Sequence, residues 1–253
     1  MLNLERHSKI LELIEESGKV EVGDLSRLFS TSEVTIRNDL KELHKQGLIR
    51  RAHGGAVRKE TVNVDASLQV KTSLHAEEKR RIGAAAAALI QDGDSIILDS
   101  GSTTQQIAKE IKNRKDLTVI TNGINIAMEL LGATGVRLIL LGGMVRQNSY
   151  SAVGHFAEDM LRQLSADKLF LAVDAFDLDF GLSTPNPEES KVNQGMVEIA
   201  TETILVADSS KFGKRSLSRI VPLSNIDRII TDSSLPVETQ TQLRARDVKL
   251  ILV

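Results

Sequence analysis

The 253-residue chain carries a formal net charge of −2 and has no cysteine. Disulfide bonds, cysteine-ligated metals and thiolate nucleophiles are therefore excluded. The N-terminal stretch carries charges throughout and no apolar run reaches the length of a membrane span, so we expect a cytoplasmic protein with no membrane partner. The chain has no Trp and a single Tyr, which argues against stacking of aromatic side chains on single-stranded nucleic acid.

The first 57 residues predict three helices followed by a hairpin. The first helix ends at Gly18, and its apolar positions recur at helical spacing: Leu4, Ile10, Leu11, Leu13 and Ile14. A short second helix is expected over residues 23–29, with one apolar face formed by Leu25, Leu28 and Phe29. Together these faces predict a small helical core.

A third helix is expected to begin after Ser32, a good N-cap residue, and to end at Gly47. Its spacing predicts four inward-facing side chains: Val34, Ile36, Leu40 and Leu43. The following segment "LIRRAHGGAV" predicts two short strands around Gly54 and Gly55. Because only residues 30–32 separate the second and third helices, the connection is that of a helix-turn-helix.

A basic patch covers this region, since residues 32–59 carry seven basic and three acidic side chains. The second helix of a helix-turn-helix docks in the major groove of double-stranded DNA, where Arg and Asn read base edges and Lys and Arg neutralise phosphates. The residues predicted to contact DNA are Ser32, Thr35, Arg37, Asn38, Lys41, Arg50, Arg51 and His53. An amphipathic surface helix with solvated charges is the alternative, but the three-helix spacing and the basic hairpin favour DNA binding.

Residues 58–75 are polar and lack clear periodicity, which predicts a linker before a helix that begins near His75. From residue 76 to residue 253 helical patterns alternate with apolar strands. Helices are expected around residues 76–90, 103–112, 124–131, 155–164 and 187–200, and strands at "SIILDS", "LTVIT", "VRLILLGG", "KLFLAVDAF", "TILVAD", "RIITD" and "VKLILV". This alternation predicts an α/β domain with a mainly parallel sheet covered on both faces.

The motif "DSGSTT" follows one predicted strand and opens a helix at Thr103. Gly101 allows close approach to the backbone, and free amides at a helix N-terminus favour an anion. The candidate phosphate site comprises Asp99, Ser100, Gly101, Ser102, Thr103 and Thr104. The alternative is an ordinary helix start capped by Ser or Thr.

Other predicted strands also end in small polar residues, and ligands of parallel sheets gather beyond the carboxyl ends of the strands. The further candidates are Thr121, Asn122, Gly123, Gly142, Gly143, Asp174, Lys191 and Lys211. Each could separately be a turn or surface residue. Several such ends that converge on one crevice favour a polar, anionic ligand.

The whole chain resembles the DeoR family of bacterial transcription regulators. The similarity is carried by the N-terminal stretch that ends in "TSEVTIRNDLKELHKQGLIRRAHGGAV", and by "DSGSTT", "VITNGINIA", "LILLGGMVR", "LFLAVDAFDLDFGLSTPNPEESK" and "ILVADSSKFGKRS". Within the family the pattern is most similar to repressors of N-acetylgalactosamine and galactosamine utilisation. Asn38 stands where many members carry Arg, so the operator of a distant relative does not transfer.

The resemblance implies a winged helix-turn-helix domain over residues 1–57, a linker over residues 58–75 and a sensor domain over residues 76–253. It also implies that the sensor shares the fold of ribose-5-phosphate isomerase and glucosamine-6-phosphate deaminase and binds a phosphorylated sugar. By that resemblance, residues 99–104 hold the phosphate, and the sugar contacts fall to Thr121, Asn122, Asp174, Lys191 and Lys211.

The resulting expectation is a repressor of a carbohydrate catabolic operon, released from operator DNA by a phosphorylated amino sugar. No cofactor or metal is expected, and a homodimer or homotetramer is expected because a recognition helix usually needs a partner to span two half-sites. One alternative is an isomerase-like or deaminase-like enzyme that uses Asp174, Glu188, Glu189 and Lys191. The enzyme alternative does not explain why the chain has an N-terminal DNA-binding domain. A structural oligomerising protein explains the core but not the basic hairpin.

Overall fold

The computed structural model describes residues 3–59 and 65–253, without the side chain of Leu4. The chain divides into two compact units, Met1–Ala76 and Glu77–Val253. The N-terminal unit contains α1 (Asn3–Ser17), β1 (Lys19–Glu21), α2 (Val22–Leu28), α3 (Glu33–Lys45), β2 (Ile49–Ala52), β3 (Gly55–Arg58) and α4 (Leu68–Ser73). The three predicted helices and the hairpin are thereby confirmed.

Two features of the N-terminal unit were not expected from the sequence. Strand β1 pairs antiparallel with β3, which makes a three-stranded sheet of order β1-β3-β2. Helix α4 lies within the segment predicted to be a linker, where its buried residue Leu68 follows the N-cap Ser67. His75 Nε2 lies 3.1 Å from Glu15 Oε2 of α1. Residues 60–64 of that segment lie outside the described residues.

The core of the N-terminal unit includes Ile36, Leu40 and Leu43 of α3, as predicted. Val34 and Leu28 were predicted to face inward, which is wrong, since they are 64% and 59% exposed. Val34 is two residues before Ile36, and two residues on a helix are about 200° apart at 3.6 residues per turn. Leu28 is the last residue of α2, beyond which the chain turns away.

A buried carboxylate ties α1 to α3. Asp39 is 4% exposed, and its carboxylate oxygens accept hydrogen bonds from Arg6 Nε at 2.6 Å and from Arg6 Nη2 at 2.9 Å. His7 Nε2 lies 3.0 Å from Asp39 Oδ1. A bidentate Arg–carboxylate pair fixes geometry as well as charge, so these contacts set the orientation of α3 against α1.

The C-terminal α/β unit is built around a seven-stranded sheet. Its elements are α5 (Ala76–Ala87), β4 (Ser95–Leu98), α6 (Ser102–Glu110), β5 (Leu117–Thr121), α7 (Ile124–Leu130), β6 (Val136–Leu140), β7 (Met144–Arg146), β8 (Ser151–Val153), α8 (His155–Leu161), β9 (Ala166–Leu171), β10 (Ala175–Asp177), β11 (Gly181–Thr184), α9 (Pro187–Ile199), β12 (Ala200–Val206), β13 (Ser218–Arg219), β14 (Arg228–Thr231), α10 (Val237–Arg244) and β15 (Lys249–Leu252).

The seven strands are all parallel, in the order β15-β14-β12-β9-β4-β5-β6. Alternate strand residues enter two separate cores, one shared with α5, α6 and α7 and the other with α8, α9 and α10. Buried Phe170 of β9 belongs to the first core and its neighbours Leu169 and Leu171 to the second. The predicted parallel sheet covered on both faces is therefore confirmed.

Smaller elements depart from the prediction. The expected strand "KLFLAVDAF" breaks after Leu171, and its last residues form β10, which pairs with β11 in an antiparallel sheet with β13. Strands β7 and β8 form a hairpin after β6. Helix α10 was also not predicted. In the described part of the chain, none of the helices is long and apolar enough to cross a bilayer.

Candidate functional sites

The N-terminal end of α3 is held by two residues that were predicted to contact DNA. Ser32 caps the helix, because its Oγ accepts a hydrogen bond from the Thr35 amide at 3.1 Å. Thr35 Oγ1 lies 2.9 Å from the same oxygen. Both hydroxyls thus stabilise the start of the helix, a role that requires no ligand.

The exposed face of α3 carries Arg37, Asn38 and Lys41, as predicted. Arg37 Nη2 lies 2.6 Å from Glu33 Oε2, an exposed pair one helical turn apart. Val34 stands three and four residues before Arg37 and Asn38, so it shares their face. The sequence pattern misassigned Val34 to the core, and the structure adds an apolar side chain to this polar surface.

The hairpin of β2 and β3 presents the other predicted contacts. Arg50, Arg51 and His53 are all exposed, the first two on β2 and the third in the turn. In the register of the hairpin, Arg50 faces Val57 and Arg51 faces Ala56. An antiparallel pair with exposed cations beside α3 is the arrangement of a wing that contacts the DNA backbone.

The polar residues of the C-terminal unit meet where the chain changes direction within the sheet. Strands β4 and β9 are neighbours, and the chain proceeds from β4 towards β5 and β6 but from β9 towards β12, β14 and β15. Ligands of open parallel sheets bind in the crevice beyond such a switch point. Asp99 directly follows β4, and Asp174 follows β9 by three residues.

Asp99 is buried, with 3% of its surface exposed. Burial and the negative charges of Glu189 and Asp174 raise the pKa of Asp99 well above its ordinary value, against the opposing effect of hydrogen bonds from the backbone amides of Ser100 and Ala172. Asn193 Nδ2 donates to Asp99 Oδ2 at 3.4 Å. This carboxyl group therefore resists ionisation.

Glu189, in the first turn of α9, contacts three other polar side chains near the switch point. Its Oε1 accepts a hydrogen bond from Ser151 Oγ at 2.7 Å and lies 2.5 Å from Arg146 Nη1. Thr184 Oγ1 lies 3.3 Å from Glu189 Oε2 and 3.0 Å from Asp174 Oδ2. We call the whole group the switch-point cluster, which consists of Asp99, Arg146, Ser151, Asp174, Thr184, Glu189 and Asn193.

The "DSGSTT" loop connects the cluster to α6. A Cβ added to Gly101 would lie 3.1 Å from Ala172 Cβ and 3.3 Å from Thr104 Oγ1, so the loop packs closely against the end of β9. Thr104 is fully buried and its hydroxyl donates to the Gly101 carbonyl at 3.2 Å. Ser102 and Thr103 are each 5% exposed, whereas Ser100 and Gly101 are half-buried.

Three predicted contacts at the end of β5 brace the loops. Asn122 is fully buried, accepts from the Ser100 amide at 3.0 Å and donates to the Ala152 carbonyl at 3.3 Å. Thr121 Oγ1 accepts from the Gly123 amide at 3.0 Å. An added Cβ on Gly123 would lie 3.1 Å from Ser100 Cα, which leaves no room for a side chain. These three residues therefore help to position the candidate phosphate site, residues 99–104.

The "LGG" turn after β6 does not join the switch-point cluster. Gly142 and Gly143 are exposed, and Gly143 has a φ of +141°. A Cβ on Gly143 would lie 2.5 Å from the Val153 carbonyl oxygen. The glycine is therefore explained by the close packing of the β7–β8 hairpin.

The two predicted lysines have different positions. Lys191 is exposed on α9 and lines an outer groove between the C-terminal half of α9 and the end of α8, where Glu158 and the C-cap residue Arg162 lie. It lies two residues from both Glu189 and Asn193, so it points away from the cluster that those residues join. Lys211 is half-buried in a short turn, Ser209–Lys211, after β12, and that turn is at the same edge of the sheet as Asp99.

A buried lysine that the sequence pattern did not single out lies next to this turn. Lys79 of α5 is 2% exposed, and its Nζ lies 4.0 Å from Asp208 Oδ2. Asp232, at the end of β14, accepts from the Ser209 amide at 2.6 Å and from Ser209 Oγ at 2.9 Å. The turn that carries Lys211 is thereby anchored on both sides.

Several members of the switch-point cluster were not predicted from the sequence: Arg146, Ser151, Thr184 and Asn193. Glu189 entered only as part of the enzyme alternative. The helical spacing of Glu189 and Asn193, four residues apart on α9, was the one available signal. Arg146 and Ser151 reach the cluster through a hairpin that was not predicted. Within residues 3–59 and 65–253, no group of three or more His, Asp or Glu side chains is placed to hold a metal ion.

Comparison with known proteins gives matches over both units. The family description "DeoR-like helix-turn-helix domain" matches residues 6–62, and "DeoR C terminal sensor domain" matches residues 74–233. An Escherichia coli O157:H7 protein named "Putative aga operon transcriptional repressor" is 44% identical over 98% of this chain and 93% of its own length. The transcriptional repressor AccR of Agrobacterium fabrum is 37% identical over 90% of this chain and 89% of its own length.

Among solved structures, ribose 5-phosphate isomerase from Plasmodium falciparum matches with a TM-score of 0.40 and 18% identity. The match covers 53% of this chain and 52% of that one. Similarity at this level supports no conclusion about function.

Proposed function

Because the chain belongs to the DeoR family of transcriptional regulators, we propose that it represses a carbohydrate catabolic operon and leaves its operator when a phosphorylated sugar binds the C-terminal unit. The chain is a DNA-binding regulator and not an enzyme, since its relatives over nearly the full length are named regulators or repressors and it carries their helix-turn-helix domain. Its place of action is then the cytoplasm, where the operator is.

The proposed DNA-reading surface is the exposed face of α3 together with the wing. Arg37 and Asn38 read base edges, and Lys41, Arg50 and Arg51 hold phosphates. Support comes from the exposure of all five side chains: Arg37, Asn38 and Lys41 lie on α3, whose other face is buried, and Arg50 and Arg51 lie on strand β2. His53 contributes from the turn of the wing, while Ser32 and Thr35 act through the cap of α3.

The proposed effector site is the crevice at the switch point. Residues 99–104 supply the phosphate end, because the first amides of α6 point out of the helix beside a loop packed against β9. The switch-point cluster supplies the sugar end. Lys211 adds a cation from the same edge, Thr121, Asn122 and Gly123 brace the loop, and Lys191 is left out of the site because it faces the outer groove.

The observation that carries this proposal is that one chain contains both a helix-turn-helix and a polar side-chain cluster at the switch point of a parallel sheet. A cluster of mostly buried polar side chains at the switch point of a parallel sheet suits a small polar ligand, and the helix-turn-helix provides a DNA-binding activity that such a ligand can regulate. The effector is proposed to come from amino-sugar catabolism, because the Escherichia coli relative is named for the aga operon. We propose a homodimer or homotetramer, in which two copies of α3 reach two half-sites.

The experiment uses a DNA duplex selected by the full-length protein from random sequence. Binding is followed by fluorescence anisotropy while galactosamine 6-phosphate or unphosphorylated galactosamine is added. Release by the phosphorylated sugar alone is the expected result, because the loop and helix N-terminus need an anion. Equal release by both sugars would contradict the phosphate site, and no release by either would contradict the proposed function.

A further inference from the structure

Exposed apolar side chains of the C-terminal unit gather at one edge of the seven-stranded sheet. Nine large apolar residues of this unit are exposed, and seven of them lie between residues 128 and 156, on both sides of the edge strand β6 in the chain. Single apolar residues on a surface need no explanation, but a contiguous group marks an interaction surface. With half-buried Leu138, the members that lead into or out of β6 form the β6-edge patch: Met128, Leu131, Leu138, Leu140, Met144 and Val145.

Helix α7 turns two of these side chains towards the edge. Glu129 pairs with Lys112, which follows α6, so this side of α7 faces α6. Leu131 is two residues beyond Glu129, about 200° around the helix, and Met128 is three residues before Leu131. Both therefore face away from α6. Because α6 connects β4 to β5 and α7 connects β5 to β6, the side away from α6 is the side of the β6 edge.

The backbone of β6 also has an open side. The Leu141 amide, just after β6, donates to the Thr121 carbonyl of β5 at 2.8 Å. Alternate residues of a strand turn their peptide groups to the same neighbour, so those of Val136, Leu138 and Leu140 point away from β5. Within residues 3–59 and 65–253, no strand pairs with β6 on that side.

The sequence of this edge lacks the usual protection. Residues 130–145 contain a single charged residue, Arg137, and no proline. Natural sheets guard their open edges with charged side chains, prolines, bulges or a covering segment, because an open apolar edge pairs with other chains. An edge that is both open and apolar therefore favours a specific partner that covers it.

We propose that the β6-edge patch is an interface between two copies of the chain, in which β6 pairs antiparallel with β6 of the second copy about a two-fold axis at Leu138. Leu138 then exchanges backbone hydrogen bonds with its own copy, and the Leu140 amide donates to the Val136 carbonyl of the other chain. A shift by one residue would oppose these groups to peptide groups that already bond to β5, so the register is fixed.

The patch fits a second copy of the chain in area and charge. Five of its side chains expose between 44% and 67% of their surface. They form an apolar patch of several hundred Å², which approaches the ~800 Å² that each partner of a stable interface buries. In the proposed register Arg137 lies opposite Ile139 and not opposite its own copy, so the pairing places no like charges together. The inference rests on the proposed function for its two copies, which reach two half-sites.

The first test measures the mass of the full-length protein by sedimentation velocity at micromolar concentration. Wild type is expected to be an oligomer. Leu131→Glu and Leu140→Glu are each expected to halve its mass, because the two-fold axis brings two like charges into an apolar interface. The two side chains are 67% and 44% exposed, so the fold accepts a charge there. Val237→Glu is the matched control, since Val237 is 75% exposed on α10, outside the patch, and it is expected to leave the mass unchanged.

The second test uses single thiols, because the chain has no cysteine of its own. In Leu138→Cys the two Cα atoms would lie about 5.5 Å apart across the axis, within the range of a disulfide. Oxidation with copper phenanthroline is expected to give a covalent dimer. Leu140→Cys is the matched control on the same face of the same strand. Its two copies would stand four residues apart in register, about 13 Å along the strand, so no disulfide is expected.

The outcomes separate the interface from the proposed function. A monomeric wild type would overturn the inference together with the proposed oligomer. An oligomer whose mass survives both Leu131→Glu and Leu140→Glu would overturn the interface while the proposed oligomer stands. No disulfide in an oligomeric Leu138→Cys, or an equal yield in Leu140→Cys, would overturn the pairing of β6. Release of DNA by a sugar phosphate is measured separately, so failure of the effector proposal is distinguishable from failure of the interface.

Discussion

Asp99→Asn is expected to make the C-terminal unit more stable at neutral pH. The raised pKa of Asp99 means that the folded state binds its proton more tightly than the unfolded state does. The stabilising effect of that proton is fully present below the ordinary pKa of 3.8 and is lost as the pH rises through the folded-state pKa. At neutral pH the buried carboxyl group therefore destabilises the fold, and an amide removes this effect.

The size of the gain follows from the linkage between the pKa and the folding free energy. Each unit by which the pKa is raised corresponds to about 1.4 kcal/mol, whereas one neutral hydrogen bond contributes roughly 0.5 to 1.5 kcal/mol. An asparagine at position 99 keeps an acceptor for the Ser100 and Ala172 amides. Its new donor can meet Asn193 Oδ1 if that amide flips. A net gain of at least about 1 kcal/mol is expected from these magnitudes.

The assay is urea denaturation of the full-length protein from pH 4 to pH 8, with the transition of the C-terminal unit followed separately. Asp99→Asn should gain stability over wild type as the pH rises. Asp116→Asn is the control, because Asp116 is exposed and its φ of +54° is one that asparagine tolerates. A variant equal to or less stable than wild type at pH 7 would refute the reasoning.

Four further substitutions test the proposed sites. Gly101→Val should abolish the response to sugar phosphate but keep DNA binding, because even its Cβ would lie 3.1 Å from Ala172 Cβ; normal release of DNA by the effector would contradict the phosphate loop. Asn38→Ala should lose about 1 to 3 kcal/mol of binding free energy on the selected duplex and less on random DNA, and equal losses on the two DNAs would exclude base reading by Asn38. Arg51→Ala should weaken binding to the selected duplex and to random DNA alike and reduce the salt dependence of binding. Val34→Ala should lose affinity for the selected duplex but not for the same duplex with uracil in place of thymine, since the exposed methyl groups of Val34 suit a thymine methyl. An equal loss of affinity on the two duplexes would rule out this contact.

The sequence predicted the parts of the fold that depend on local periodicity. The α3 core positions Ile36, Leu40 and Leu43 and the seven parallel strands follow from apolar spacing alone. Val34 was misplaced because a β-branched apolar residue at the start of a helix looks the same in sequence whether it packs inside or faces a partner. Helix α4 was missed because the polar segment around it shows little periodicity.

The site was predictable to the extent that it lies at strand ends. Asp99 and Asp174 were found because each lies within three residues of the end of an apolar strand, and the switch point brings the ends of these two strands together. Arg146 could not be found in this way, because it reaches Glu189 through a hairpin whose pairing is a tertiary property. Lys191 was misleading, since the polar cluster before it marks the start of α9 and not the side of the helix on which Lys191 stands.

The most direct test of the account is a linkage measurement between the two proposed sites. The affinity of the full-length protein for its selected duplex is measured with and without saturating galactosamine 6-phosphate, and the affinity for galactosamine 6-phosphate with and without the duplex. Both affinities should fall by the same factor, roughly tenfold or more, because coupling between two ligands is reciprocal. A DNA affinity that galactosamine 6-phosphate leaves unchanged, while it still binds the protein, would contradict the account.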